Sequence, residues 1–299
     1  MDRLFSGQRI IRFPEDYSVG ILINYGSTRK VKSMGMRAER QEARGDIVVG
    51  DKDMLKLEVE KQAAEDLSFL SALQPDDLTW IDLSDTNVTD AQLAHLQRLE
   101  RLGSVRLERT SITDLGVAHL ETLSRLFDLE LRHTRVSDKG TRSISRLTAL
   151  STLDLSFTAV TDAALTELQK LTALTALTLN HTEITDQHLD RLCRLSSLRS
   201  LGLEGIHIKG DGLAHLACLQ ELYALLLGQS GITDEQLAFF ESLPELSELY
   251  LQDTKVSDAG LARLKRFPAL RELNLEGCNV SEAAIEDLSN ACHDLLIWH

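Results

Sequence analysis

Apolar residues recur along most of this chain at a fixed interval. From Leu78 to His293 the sequence divides into nine segments of 24 residues with no insertion or deletion, beginning at Leu78, Leu102, Leu126, Leu150, Leu174, Leu198, Leu222, Leu246 and Leu270. Positions 1, 4, 6, 11, 16, 19 and 22 of each segment are apolar. Of these 63 sites only Thr141 and Ala291 lack a large aliphatic or aromatic side chain, so one apolar stripe runs through all nine segments. The alternation at positions 4 and 6, as at Leu129 and Leu131, predicts a short strand, and the three-residue spacing at 16, 19 and 22 predicts one face of a helix. Each segment reads as strand, loop, helix and return. One such unit buries too little to fold alone, whereas a stack of them shares a continuous core. The expected architecture is an α/β solenoid of right-handed coils, with a parallel sheet on the concave face and helices on the convex face.

The polar positions follow the same register. Position 9 is Thr in Thr86, Thr110, Thr134, Thr158, Thr182 and Thr254, where a buried hydroxyl is expected to satisfy loop backbone groups of the neighbouring coil. Position 12 is mostly Thr or Ser and is usually followed by Asp. That pair reads as a helix N-cap with an anion in the first turn, and Gln92 and Gln236 stand at capping-box spacing from Thr89 and Thr233. These Asp residues are therefore read as structural rather than catalytic. Segment six departs from the pattern: Ile206 stands at position 9, and Lys209 and Gly210 replace the Thr-Asp cap, either as a weaker helix start or as a local change of curvature.

The signature T-x-V/I-T-D-x-G/A-L, seen as TSITDLGVAHL from Thr110 and TKVSDAGLARL from Thr254, resembles the bacterial leucine-rich-repeat proteins related to the cysteine-containing, F-box-associated class. The likeness covers about three quarters of the chain. It implies a leucine-rich-repeat solenoid whose members bind other proteins. Cys278 occupies position 9, where the cysteine-containing class carries its Cys, while the other repeats have Thr, Ser or Ile there. Nothing at the N-terminus resembles an F-box, so the resemblance implies no ubiquitin-ligase adaptor.

The flanks read differently. Residues 1–53 alternate at Tyr17, Val19, Ile21 and Ile23 and again at Ile47 and Val49, with Gly20, Gly26, Gly45 and Gly50 as punctuation, and predict a small β-rich N-terminal cap. Residues 54–77 form a degenerate capping repeat, with Met54, Leu57 and Val59 on positions 1, 4 and 6 and Phe69 on position 16. Residues 294–299 supply a terminal strand, so the solenoid spans 54–299 with the regular repeats at 78–293. The chain is acidic, with a net charge of −14, yet residues 1–53 carry more Lys and Arg than Asp and Glu. The cluster Arg29, Lys30, Lys32, Arg37, Arg40 and Arg44 is interrupted by Glu39 and Glu42 and holds no aromatic residue. It reads as a solvated loop, or alternatively as a contact for an acidic partner, membrane or nucleic acid.

The opening MDRLFSGQRIIRF has no apolar run of signal-peptide length, and no stretch approaches about 18 apolar residues, so a cytoplasmic protein is expected. Four cysteines scattered over 299 residues read as reduced thiols, with Cys193 and Cys218, at positions 20 and 21 of adjacent repeats, as the one pair that could lie near each other. No nucleophile, phosphate-binding or metal-ligand motif occurs, and His95, His119 and His215 are held a whole number of repeats apart at position 18. Neither enzyme activity nor a cofactor nor a metal is expected.

Any function is expected on the strand face, where positions 3, 5, 7 and 8 point away from the core. Its first third is charged, with opposite signs on neighbouring strands (Asp82, Arg106 and Glu130; Glu108 and Arg132), leaving Arg109, His133 and Arg135 less obviously matched. Further on, Phe157 and His181 are neighbours in column 8, Leu226 and Tyr250 are neighbours in column 5, and Gly202, Gly205 and Gly228 are expected to leave a hollow between them. These seven side chains are the candidate partner-binding set. The expected function is a non-enzymatic scaffold binding a protein or peptide on the concave face; the alternative is a nucleic-acid or ligand-binding regulator working through the basic N-terminal segment. A net charge of −14 argues against nucleic acid. A monomer is expected, with the open edge at Leu295 to Trp298 as the place where two chains would meet.

Overall fold

In a computed structural model of the chain, the described residues are 7–27 and 38–299. Arg29, Lys30, Lys32 and Arg37 lie outside them. The chain forms two compact units, Met1–Val136 and Ser137–His299. In both, the apolar stripe is the core: of the 63 repeat positions, all but Ile208, Val280 and Ala291 are buried. The exceptions fall in the irregular sixth repeat and in the last one, where no later coil covers them. In repeat six it is Ile206, at the usual Thr position, that turns inward, with 2% exposure.

In the first unit, β1 (Gln8–Arg12) pairs antiparallel with β4 (Asp46–Gly50). β2 (Gly20–Ser27) lies between β3 (Glu39–Glu42) and β5 (Asp53–Val59), antiparallel to both. β5 then pairs in parallel with β6 (Trp80–Asp82), placing Leu57 opposite Ile81, the 24-residue register extended backwards. The ladder continues through β7 (Ser104–Arg106) to β8 (Asp128–Glu130). The antiparallel β2 covers the edge of the first coil, which a bare solenoid would leave with unpaired backbone groups.

The second unit is a parallel ladder of β9 (Thr152–Asp154), β10 (Ala176–Thr178), β11 (Ser200–Gly202), β12 (Ala224–Leu226), β13 (Glu248–Tyr250), β14 (Glu272–Asn274) and β15 (Leu296–Trp298), each paired to the next 24 residues on. The segments returning from the strands mix short α-helices, such as Asp258–Leu264, with 3₁₀ turns, such as Asp186–Arg194 and Gly212–Cys218. A strict three-residue apolar spacing suits both, because it is the period of the 3₁₀ helix itself.

Two polar expectations are corrected. The position-9 hydroxyls serve their own coil: each donates to the carbonyl three residues back, as in Thr86 to Leu83 at 2.6 Å and Thr182 to Leu179 at 2.7 Å, where the chain turns out of the strand. The position-12 Thr or Ser does cap its helix, as Thr113 and Ser257 do by accepting from the N–H two residues on. The following Asp, however, reaches to the next coil. Asp90 accepts from the Thr113 N–H at 2.8 Å and its hydroxyl at 2.6 Å, and the same pair of bonds joins Asp138 to Thr161, Asp162 to Thr185, Asp234 to Ser257 and Asp258 to Ser281. A Cβ on Gly116 or Gly260 would sit 2.4 Å from the Asp90 or Asp234 carboxylate, so the small residue at position 15 leaves room for these bonds. The two bonds to Ser281 lower the Asp258 pKa.

Repeat six has no Thr hydroxyl to offer. There Asp186, 1% exposed, accepts three backbone N–H groups instead, from Lys209 at 2.7 Å and from Gly210 and Gly212 at 3.0 Å. Gly212 is required, since a Cβ would fall 1.8 Å from the Asp186 carbonyl oxygen. Alongside this junction the expectation of four reduced thiols fails: Cys193 and Cys218 form a disulfide, because the repeat register sets their Cα atoms 5.5 Å apart, within bridging range. Cys278 and Cys292 are free. Cys278, at position 9, departs from the Thr pattern: its Sγ reaches back to the preceding coil, 3.0 Å from the Leu251 carbonyl.

Candidate functional site

The strand face is built by outward residues at positions 3, 5 and 7 and by the turn that ends each strand at position 8. That turn has an unusual backbone. Asp85, Arg109, His133, Phe157, His181, Gln229 and Asp253 all have φ between 53° and 59°, and Gly205 and Gly277, at the same position, have 69° and 73°. The left-handed region disfavours most side chains. It is held here because the position-8 N–H continues the ladder, as in Phe157 to the Asn180 carbonyl at 2.9 Å and His181 to that of Glu204 at 2.7 Å.

In the first unit the face is neutralised from within. Lys56 bonds Asp82 at 2.9 Å and Glu58 at 3.2 Å, and Arg106 meets Glu130 at 3.3 Å. Burial opposes the Lys56 charge, but the bonds to Asp82 and Glu58 outweigh it and raise the pKa. Arg109, expected to be poorly matched, grips Asp85 through Nε at 2.6 Å and Nη2 at 2.7 Å and also contacts Glu108; its pKa is raised by Asp85 first and Glu108 second. The pairing arises because position 8 of one coil reaches position 8 of the coil before it, a column the charge pattern of positions 5 and 7 does not show. His133 occupies the same left-handed turn, and Arg135 is exposed at position 10, where its N–H donates to the Ile112 carbonyl. Tyr25 and Trp80 meet edge to face at 5.3 Å over a shallow cavity of about 280 Å³ shared with Lys56, Ser104, Arg106 and Asp128. Of the basic N-terminal cluster, Arg40 pairs with Glu58 at 2.6 Å and the Arg44 Nε donates to the Glu15 carbonyl.

In the second unit Phe157 and His181 stack with ring centroids 4.4 Å apart. The hollow expected beside them is filled. A Cβ on Gly205 would lie 2.4 Å from His181 Nδ1, one on Gly202 would lie 2.7 Å from Asn180 Oδ1, and one on Gly228 would lie 2.3 Å from Gln252 Cδ. These glycines admit side chains from adjoining strands. Gln252 thereby reaches across repeat seven to Glu204, its Nε2 donating to Oε1 at 2.6 Å, while Asn180 donates to the other oxygen at 2.9 Å. Leu226 and Tyr250 are register partners, and two strands further Trp298 stacks parallel to Tyr250 at 6.5 Å. Trp298 belongs to this row and was missed as a contact residue. Its position-5 place on the last strand was the available signal. Leu296 and Trp298 are exposed, and Tyr223 stands exposed beside a depression of about 560 Å³ where the chain enters β12.

No group of His, Cys, Asp and Glu suited to a metal is found among the described residues, and no helix among them is long and apolar enough to cross a membrane. The face can offer shape, aromatic contact and carboxylates.

The sequence matches the family described as "Leucine-rich repeat region" over residues 54–293. Among solved structures, internalin C2 of Listeria monocytogenes str. 4b F2365 is similar at 26% identity over 72% of this chain and 84% of that one, with a TM-score of 0.53. The plant peptide hormone receptor RGFR1, in complex with RGF2, aligns at 17% identity over 75% of this chain and 40% of that one, with a TM-score of 0.52. No curated protein matches the sequence.

Proposed function

This chain belongs to the leucine-rich-repeat family, and from that premise we propose that it is an interaction scaffold which binds a protein or peptide on the strand face of residues 137–299, with Phe157, His181, Leu226 and Tyr250 as contact side chains. The observation that carries the reading is the apolar row of Leu226, Tyr250 and Trp298 at outward position 5. The fold does not need apolar residues there, since Asp82, Arg106, Glu130, Asp154, Thr178 and Asn274 occupy the same position on other strands. Partly exposed aromatic side chains on a rigid face are the groups that most often dominate binding energy. The receptor with its bound RGF2 is an example of a similar fold engaging a partner, and it supports the reading by analogy of fold alone.

The test is partner isolation from the native host followed by affinity measurement with point variants. Tyr250→Ala and Phe157→Ala are each expected to weaken binding about tenfold, roughly 1.4 kcal/mol, with little change in Tm. If both bind like wild type while Arg109→Glu and Arg135→Glu abolish binding, the site lies in the first unit and the assignment is wrong.

A further inference from the structure

Charge is distributed unevenly over the outward strand positions. In the second unit, positions 3, 5, 7 and 8 carry Asp154, Glu204, Glu248, Asp253, Glu272 and Glu276 and no Lys or Arg. Their bonds are to neutral groups: Glu204 to Asn180 and Gln252, Glu272 to the Tyr250 hydroxyl at 3.3 Å, Asp253 to Gln229 at 3.4 Å and Asp154 to the Ser156 N–H at 2.7 Å. The ion pairs of this unit, such as Arg199 with Glu221 and Lys265 with Asp287, sit off the face. In the first unit, by contrast, Asp82, Asp85, Glu108 and Glu130 each meet a Lys or Arg.

We infer that the partner presents an extended cationic segment, with arginine or lysine alternating with apolar side chains, laid across the strands of residues 137–299; the inference rests on the strand-face reading above. The unpaired carboxylates beside the aromatic row point there. Glu248 and Glu272 are register partners on adjacent strands, a like-charge contact that costs stability until a cation lies between them. Burial and these two carboxylates push the Tyr250 hydroxyl pKa up, a sign of the negative potential around the aromatic row. The ring of Tyr250 lies beside Glu272 and is stacked with that of Trp298, and the two suit both the apolar residues of such a segment and the face of an arginine. From β9 to β15, at about 4.8 Å per strand, the face measures roughly 29 Å, or about nine extended residues.

The experiment is selection of a display library of random peptides, about 12 residues long, on the full chain. Enriched peptides are expected to be net positive and to contain apolar residues. They should lose at least about tenfold in affinity on Glu248→Gln/Glu272→Gln, a variant expected to melt no lower than wild type, and to keep their affinity on Glu282→Gln/Glu286→Gln, which removes the same charge from the helix Glu282–Ala291. Neutral or acidic peptides that still depend on Tyr250 would overturn the cationic partner and leave the strand-face reading standing. Peptides indifferent to both Tyr250→Ala and Glu248→Gln/Glu272→Gln, or no enrichment at all, would overturn both.

Discussion

Asp186 and Asp234 occupy the same position in their repeats, yet replacing each with Asn is expected to have very different effects. Asp234 accepts one N–H, from Ser257, while its second oxygen faces the Ser257 hydroxyl, a group that can donate or accept. In Asp234→Asn the amide oxygen keeps the N–H and the amide NH₂ donates to the hydroxyl, so the geometry survives with neutral bonds in place of charge-assisted ones, at a cost of about 1 kcal/mol. Asp186 faces donors only: the N–H groups of Lys209, Gly210 and Gly212. In Asp186→Asn either orientation of the amide points its NH₂ at a backbone N–H. At least one donor is stranded beside a residue only 1% exposed, which costs about 1–3 kcal/mol beyond the loss of charge. A total near 3 kcal/mol, against about 1 for Asp234→Asn, corresponds to a gap of roughly 4–8 °C in Tm at about 2–4 °C per kcal/mol. Thermal melts of the two variants give the difference directly. Amide exchange resolves where it arises, because stability in a repeat protein is nearly a sum of local terms. Faster exchange at Lys209, Gly210 and Gly212 is expected in Asp186→Asn alone. Equal losses of Tm within about 1 °C would refute the argument that an all-donor shell sets repeat six apart.

Thiol titration under denaturing, non-reducing conditions is expected to give two free thiols, Cys278 and Cys292; four would mean that the Cys193–Cys218 bridge is not made. Cys193→Ser/Cys218→Ser should lose about 3.5 kcal/mol if constraint of the unfolded loop is what the bridge supplies, measured by urea unfolding beside the oxidised protein. At position 8, Gln229→Gly should be neutral or stabilising by about 0.5 kcal/mol, since relief of the left-handed conformation slightly exceeds the entropy glycine adds to the unfolded chain. Phe157→Gly removes the same strain but also the ring stacked on His181, and a net loss of about 1 kcal/mol is expected; a gain of the same size in both would show that the stack contributes nothing.

The fold was readable because a 24-residue register repeats its core residues with few exceptions, and an error at one repeat is corrected by the others. Three features that the repeat pattern does not show are contacts between coils. The Asp after Thr has the spacing of a first-turn residue in its own helix, yet its carboxylate oxygens accept from the next coil. The glycines at 202, 205 and 228 read as open space in the sequence, yet side chains of neighbouring strands fill it. Four scattered cysteines read as reduced thiols, yet adjacent coils bring Cys193 and Cys218 within bridging distance. The position-8 turns had a visible signal. Gly205, Gly277, Asp85, Asp253, His133 and His181 are residues that tolerate the left-handed region better than most, and their recurrence every 24 residues makes the conformation a property of the column. At Phe157 and Arg109 that tolerance is absent, and the fold holds each in a conformation its side chain disfavours. Arg109 is compensated locally by its pair with Asp85. Phe157 gains the stack on His181, which in turn needs the space above Gly205. Three successive position-8 residues in this unit are thus matched to one another, so the shape of the face at its β9 to β11 end depends on side chains whose identities the core pattern leaves open.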